Sequence, residues 1–582
     1  MIQAFSDYSV EIKNLKYLTD SGKRFPKTAI IHFSLPGKAQ PVVEIMGYID
    51  QEDIFGMIER GEEIDLSHSY INKLSLSEYR LRRKLDPRQH VEIKNFRAEN
   101  CFIDSATLID LSFGDFTGDE VSFEGSIVGK GEFSFNNSIF KCTIFNFSYL
   151  HLSPGKFDLS NARFQEVEIL FKNTIFRDGK KDFQYTDFGT GIKNFTNTEF
   201  GDGDVSFINT HFNDGQLSFK VARFGKGRVD FHFAKFGNGD KSFERAEFGD
   251  GGVDFRTVEF GHGRINFNRC LFGEGDISFE GCDQGSGKFS FKRARLESGE
   301  FSFELAEMED IELSFDRTNF GKNTICFYNG KFGSLSFQQC HLDHYTDLRV
   351  RKCSMIDLSN TIVRDIIDLK PFEFEEDIGI IYFGGIRLIG RIYIDWKKNK
   401  VYRLIKDQVE SDEELKAEQF RTLKENFNVC GQYNDEDLSY LQFKRHEERA
   451  LLKKQLNAKK LNFLWAYPAH ILKLIILDRA GHYATNPARV IVTMLSTLTF
   501  FSFLYFLLII TGAGNIVESV NHLHVLNALG TGFYHSAITF FTIGYGDYYP
   551  EGIIRWMSGL EGFTGVFLMA YFTVAFVRKI LR

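Results

Sequence analysis

Thr542-Ile543-Gly544-Tyr545-Gly546-Asp547 stands near the end of a 582-residue chain, between two apolar runs. As backbone, it offers successive carbonyl oxygens at Thr542, Ile543, Gly544 and Tyr545, ligands able to replace the hydration shell of an alkali cation. Gly544 and Gly546 allow angles that turn neighbouring carbonyls the same way. Thr542 adds a hydroxyl oxygen at one end of the row.

Working outward, Val490 to Ile510 is long and apolar enough to cross about 30 Å of hydrocarbon, and Ile553 to Val577 is a second such run. Residues 532–541, from Gly532 to Phe541, read as a helix too short to span. Its negative C-terminal end would face the ion path. Non-helical backbone at that depth is tolerated only when buried in protein or lining a pore. In this order of span, re-entrant helix, carbonyl loop and span, residues 489–582 resemble the two-transmembrane potassium channel family.

The resemblance implies passive, K⁺-selective conduction through a homotetramer in which each copy supplies one filter strand. It implies K⁺ held by the carbonyls of Thr542 to Tyr545, and no cofactor beyond the transported ion. Two departures stand out. Many members have Thr or Ser before the filter Thr, where this chain has Phe541. Some have Glu four residues before it, paired with the filter Asp, where this chain has Ile538. Asp547 therefore needs another partner, and Ile538, Thr539, Phe540 and Phe541 form the pore-helix and cavity set. Glu561, inside the second span, reads as a buried group bonded to the re-entrant helix behind the filter. Gly562 and Gly565 fit either a gating hinge or close helix packing.

No Lys or Arg occurs from Ile491 to Ile554, whereas Lys473, Arg479, Arg489, Arg578, Lys579 and Arg582 flank the spans. By the positive-inside rule both flanks are cytoplasmic, in a plasma or inner membrane, with the large N-terminal part inside. The eight Cys, all on that side, are expected as reduced thiols, and no CxxC pair suggests zinc. Met1 to Asp20 carries no apolar leader.

The rest of the chain is organised by its 63 Phe and 51 Gly. Every twelfth residue from 123 to 327 is Phe, apart from Leu159. A second Phe ladder runs five residues later (Phe200, Phe212, Phe224), and Gly repeats every twelve from Gly179 to Gly299. The unit is Val-Ser-Phe-x-x-Ala-x-Phe-Gly-x-Gly-x. Alternation turns Val205 and Phe207 inward, with small residues such as Ala222, Ala234, Ala246, Cys270 and Ala294 beside the second Phe. Coils stacked about 4.8 Å apart would bury one another as a solenoid.

Twelve residues per coil would enclose almost no volume, whereas 24 give four short faces with four central Phe. The segment thus resembles pentapeptide-repeat proteins, which implies a right-handed quadrilateral β-solenoid, here with alternating five- and seven-residue steps. The ladder amounts to about nine coils and about 43 Å of rod. Glu63 to Ile71 looks like ordinary pentapeptide style, as does Ile356 to Ile362, where a closing cap is expected to start. Turns such as Gly201-Asp202-Gly203-Asp204 resemble calcium loops, but Lys226, Asn238, His262 and Glu274 replace Asp202 in later units, so solvated turns are expected.

The chain thus divides into a small β-rich region (1–62), with a hairpin from Pro26 to Ile49 around Pro36-Gly37, and the solenoid (63–395). A helical hairpin linker (403–460), an interfacial amphipathic helix (461–486) and the pore domain (489–582) follow. The hairpin helices are expected at Glu410 to Asn428 and Asp435 to Gln455, the interfacial helix at Phe463 to Leu477. Net charge of −8 gives no bulk basic patch for nucleic acid. His211, His232 and His262 stand singly on turns, and neither a P-loop nor a nucleophile elbow occurs, so no enzyme is expected. The expected partners are the lipid bilayer, identical copies, and a cytoplasmic ligand or protein on the solenoid. The alternatives are a weakly selective cation channel and a membrane-tethered interaction scaffold.

Overall fold

A computed structural model describes every residue except 1–4, 6, 21, 36, 38–39, 105–108, 371–372, 459–462, 520–525 and 582. Met1, Pro36 of the expected turn, Asn462 near the start of the expected interfacial segment and the flanking Arg582 therefore lie outside the described residues. The chain forms two compact units, 1–407 and 408–582.

The first unit opens with antiparallel strands Asp7–Lys13, Lys27–Ser34 and Val42–Tyr48. The first of these was not anticipated from sequence. Gly47 then pairs in parallel with Ser69, joining this meander to the solenoid. Helices α1 (Gln51–Arg60) and α2 (Leu76–Arg83) interrupt the first coils. Ser75 caps α2 by accepting the Glu78 amide at 3.2 Å, with Glu at the third helical position as in a capping box.

From there the chain is a parallel β-solenoid whose long faces are sheets of 14 and 16 strands. Val205 pairs with Val229 and Val229 with Val253, a period of 24 residues. Two faces of each coil in this region carry two-residue strands, and the others only single bridges such as His211 to Lys235. The coil shortens to 21 residues where Ile325 pairs with Thr346, and widens to 25 where Ile356 pairs with Ile381. The rod thus exceeds the nine coils of the Phe ladder, because Ile, Leu and Val fill the same inward positions at both ends. Ile356 to Ile362 belongs to an ordinary coil rather than a cap. Closure comes from α3 (Val401–Lys406), which buries Val401, Leu404 and Ile405 and packs on strand Asp377–Tyr382. The linker expected from 403 therefore starts inside a helix of the first unit.

The Phe ladders become columns. Phe207, Phe231 and Phe255 stack with centroids 4.7 and 4.8 Å apart and rings within 5° of parallel. The facing column meets this one edge-on, Phe231 lying at 90° to Phe243. Aromatic pairing thus adds to the burial of each ring. Small inward residues serve the backbone as well: Thr210 Oγ1 donates to the Phe183 carbonyl at 2.7 Å, and Cys270 Sγ reaches the Phe243 carbonyl at 2.9 Å. All eight cysteines are free thiols.

Besides the repeating Gly, a second position of positive φ falls two places after the first Phe and is often bulky, as at Val221 (φ 57°) and Thr257 (φ 52°). Repeating Gly answers to both backbone angle and stacking: Gly287 has φ 136°, and a Cβ on it would lie 2.0 Å from the Gly263 carbonyl oxygen one coil below. Turn carboxylates are occupied by the next coil. Asp204 accepts the Arg228 amide at 2.9 Å and Asp214 the Asn238 amide at 2.7 Å. Among the described residues no His, Cys, Asp and Glu cluster could hold a metal.

In the second unit, α4 (Glu413–Val429) and α5 (Tyr433–Ala458) form an antiparallel hairpin around Gly431, which is left-handed at φ 71°. Asp412 caps α4 by accepting the Leu415 amide at 2.8 Å. Helix α6 (Phe463–Lys473) runs into a π-helical turn, Leu474–Arg479. Next come α7 (Pro487–Ile510), α8 (Ala528–Phe540) and α9 (Ile554–Ile580), and a short antiparallel pair, Gly514–Glu518 with Tyr548–Gly552. Helices α7 and α9 are long and apolar enough to cross a membrane.

Candidate functional site

Pro487 sits in the first turn of α7, where its missing amide is harmless, and Asn486 accepts the Arg489 amide at 3.0 Å. Asn527 caps α8 in the same way through the Gly530 amide at 2.8 Å. Helix α8 therefore starts four residues before Gly532. It ends where the Thr542 and Ile543 amides bond to the Thr539 and Ile538 carbonyls at 3.1 and 2.8 Å.

From Thr542 the backbone alternates. Thr542, Gly544 and Gly546 are left-handed (φ 54°, 61° and 76°), with Ile543 and Tyr545 between them. Such alternation brings successive carbonyls to one side of the strand. A Cβ on Gly544 or Gly546 would meet nothing within 4 Å, so these glycines answer to backbone angle rather than to space. Ile543 and Tyr545 are 48% and 68% exposed in the single chain, which leaves one side of the strand open.

The other side is tethered. Ser519 donates its amide to the Asp547 carbonyl and its hydroxyl to the Gly546 carbonyl, both at 2.7 Å. Tyr534 donates to Asp547 Oδ2 at 2.7 Å, and its ring packs edge-on against Tyr548. Asp547 thus finds its partner in Tyr534, which sequence reasoning passed over.

Behind the carbonyl strand, Glu561 is fully buried and accepts hydrogen bonds from Tyr505 at 2.6 Å and from Ser536 on α8. His535 Nε2 meets Ser558 Oγ at 2.9 Å. Ile538 and Phe540 are buried, Phe540 among Leu498, Leu568 and Ala480, whereas Phe541 stays 41% exposed where α8 ends. Gly565 has a packing reason to be Gly: a Cβ there would lie 2.1 Å from the Phe540 carbonyl oxygen. At Gly562 the nearest atom would be 3.8 Å away, so space leaves it free to be Gly or Ala.

The far ends of the long helices are anchored to the hairpin. Lys579 and Arg578 pair with Asp437 at 2.9 and 3.3 Å, and Arg578 lies 4.4 Å from the Tyr440 ring centre. Arg445 grips Asp478 with two bonds of 2.9 Å. Between the π-helical turn and α7, His482, Tyr483 and Ala484 are all left-handed (φ 49°, 54° and 62°). Strain of this kind persists only where neighbours enforce it. Here Tyr571 of α9 does so, donating to the Leu477 carbonyl and accepting the Ala484 amide, both at 2.8 Å. Within the hairpin, His446 and Glu413 meet at 2.7 Å, and burial holds the imidazole below its ordinary pKa. None of these links follows a sequence motif, because each joins residues far apart in the chain.

No curated protein and no solved structure matches the chain. Residues 492–582, which hold most of α7 together with α8, the carbonyl strand and α9, match the family model described as "Ion channel", so this part of the chain is similar to ion channels.

Proposed function

We propose that the chain is the subunit of a K⁺-selective channel in which four copies bring their Thr542–Tyr545 carbonyls around one axis. The observation that carries this reading is the left-handed alternation at Thr542, Gly544 and Gly546, on a strand tethered behind by Ser519 and Tyr534 and open in front. Carbonyl oxygens so arranged suit dehydrated K⁺. Both helix flanks are cytoplasmic by the positive-inside rule, with the repeat unit inside as a sensing or scaffolding part. The pore would then be passive, needing no cofactor and performing no catalysis. Full-length protein reconstituted in liposomes under a K⁺ gradient tests this. A reversal potential that follows K⁺ and ignores Na⁺ is expected. Equal permeabilities would overturn the selectivity, and a monomer without conductance would overturn the pore.

A further inference from the structure

The meander that opens the first unit ends its sheet in a free edge. Its first strand, Asp7–Lys13, pairs with Lys27–Ser34 on one side, and among the described residues no strand pairs with the other. The edge runs for seven residues with neither a Pro nor a shift of register, devices that usually blunt an exposed edge. The groups it offers follow from the third strand. The Gly47 amide bonds to the His68 carbonyl at 3.1 Å, so the even-numbered peptide groups of Val42–Tyr48 turn toward the second strand. By alternation the second strand meets the first at Asp7, Ser9, Glu11 and Lys13, and the peptide groups of Tyr8, Val10 and Ile12 face outward.

This edge is held extended from within. Tyr8 and Tyr70 each donate a hydroxyl hydrogen to Asp104 at 2.6 Å, and Tyr8 and Val10 pack on the core of Ala29, Ile31 and Phe33. Little ordering is left for a partner to impose. At the far end of the strand, Ile12 stays 43% exposed.

The strand is also its own complement. Laid antiparallel to a second copy about a two-fold axis at Val10, Asp7 faces Lys13 of the second copy and Tyr8 faces Ile12, each twice. Opposite charges and aromatic with β-branched residues are both favourable cross-strand pairs. Moving the axis one residue back sets Asp7 against Glu11, and moving it one residue on sets Glu11 against itself. Within the single chain Lys13 has only a loose, exposed contact with Glu11 at 3.6 Å to give up.

We propose that this edge pairs with the same edge of a second copy of the chain, in the register centred on Val10. The contact is isologous, so it closes on two copies and joins their meanders into one continuous sheet. It belongs to the first unit and holds whether or not the copies also share a pore.

Full-length protein in detergent tests the pairing by disulfide cross-linking, read on a non-reducing gel. Ser9 would oppose Glu11 of the second copy in a close, non-hydrogen-bonded pair with Cα atoms about 4.5 Å apart, within reach of a disulfide. Ser9→Cys with Glu11→Cys in one chain should therefore give a covalent dimer under mild oxidation. Either substitution alone, and the parent with its eight Cys, should give little. In the double-cysteine chain, Lys13→Glu sets acid against acid twice and should slow dimer formation on the order of tenfold. Exchanging the pair, Asp7→Lys with Lys13→Asp, should restore the rate. The proposal is overturned if no covalent dimer forms, if a single-cysteine chain cross-links as fast as the double, if the products run beyond two copies, or if the rates ignore the charges. Circular dichroism melts confirm that each variant is folded. K⁺ flux on the same preparations is a separate readout: cross-linked protein that does not conduct overturns the channel reading and leaves this pairing in place.

Discussion

Tyr534 donates its hydroxyl hydrogen to Asp547 across 2.7 Å, tying the middle of α8 to the C-terminal end of the carbonyl strand. Tyr534→Phe keeps the ring against Tyr548 and removes this bond alone. A hydrogen bond to a charged group is worth about 1.5–3 kcal/mol. The K⁺ over Na⁺ permeability ratio should therefore fall by about tenfold or more, with expression unchanged. Reversal potentials under mixed gradients measure it, and an unaltered ratio would show that Ser519 alone holds the strand.

Gly562 and Gly565 should respond in opposite ways. Gly565→Ala places a methyl against the Phe540 carbonyl and must push α9 away from the C-terminal end of α8, next to the carbonyl strand. Loss of conductance and a less stable assembly are expected, whereas Gly562→Ala should conduct like the parent. If Gly562→Ala abolishes current while its assembly melts normally, Gly562 serves as a hinge.

Glu561 is an acceptor for two hydroxyls, so shape without hydrogen bonding should not replace it. Glu561→Leu strips the shared acceptor from Tyr505 and Ser536 at a cost of about 1–3 kcal/mol for a buried unmet partner. Glu561→Gln retains an acceptor and should lose little. Thermal melts of the solubilised protein followed by size-exclusion chromatography separate the two, and equal melting would argue against a supporting role.

Lys241 occupies an inward position where most coils have Val, Leu or Ile, and its ammonium reaches the Gly237 and His262 carbonyls at 2.6 and 2.9 Å. Burial pushes its pKa down to about 8 from an ordinary value of 10.5. Below about 8 both folded and unfolded chains carry the proton, and the folded chain bears the cost of a buried charge. Between about 8 and 10.5 only the unfolded chain binds it, so this residue makes stability rise with pH across that window. Lys241→Leu should raise the solenoid's melting temperature by a few degrees near neutral pH, partly offset by the carbonyls left without a donor. The advantage should shrink at alkaline pH. Chemical denaturation of the full chain at both pH values checks the sign, and an advantage that grows with pH would refute it.

The parts of this molecule that could be read from sequence are those written in one run or one period. Phe at every twelfth residue specifies a coil of 24 because only that length encloses the rings. The spans announce themselves by length. The partner of Asp547 stayed hidden because it was sought at Ile538, whereas Tyr534 lies one helical turn earlier on the same face and simply reaches further. The pairing of Asp437 with Lys579 spans 142 residues and obeys no local rule. The left-handed backbone at Val221 and Thr257 had no such signal, because their own preferences oppose it.

The half-coil nature of the Phe motif has an evolutionary corollary. Turn carboxylates such as Asp204 and Asp214 reach the amide 24 positions onward, and ring columns such as Phe207 over Phe231 obey the same count. Duplicating one motif would bring each side chain beneath a neighbour from the opposite wall, whereas duplicating two would restore every pairing. Length in this array is therefore quantised, and relatives that have grown or shrunk within it are expected to differ by whole pairs of motifs.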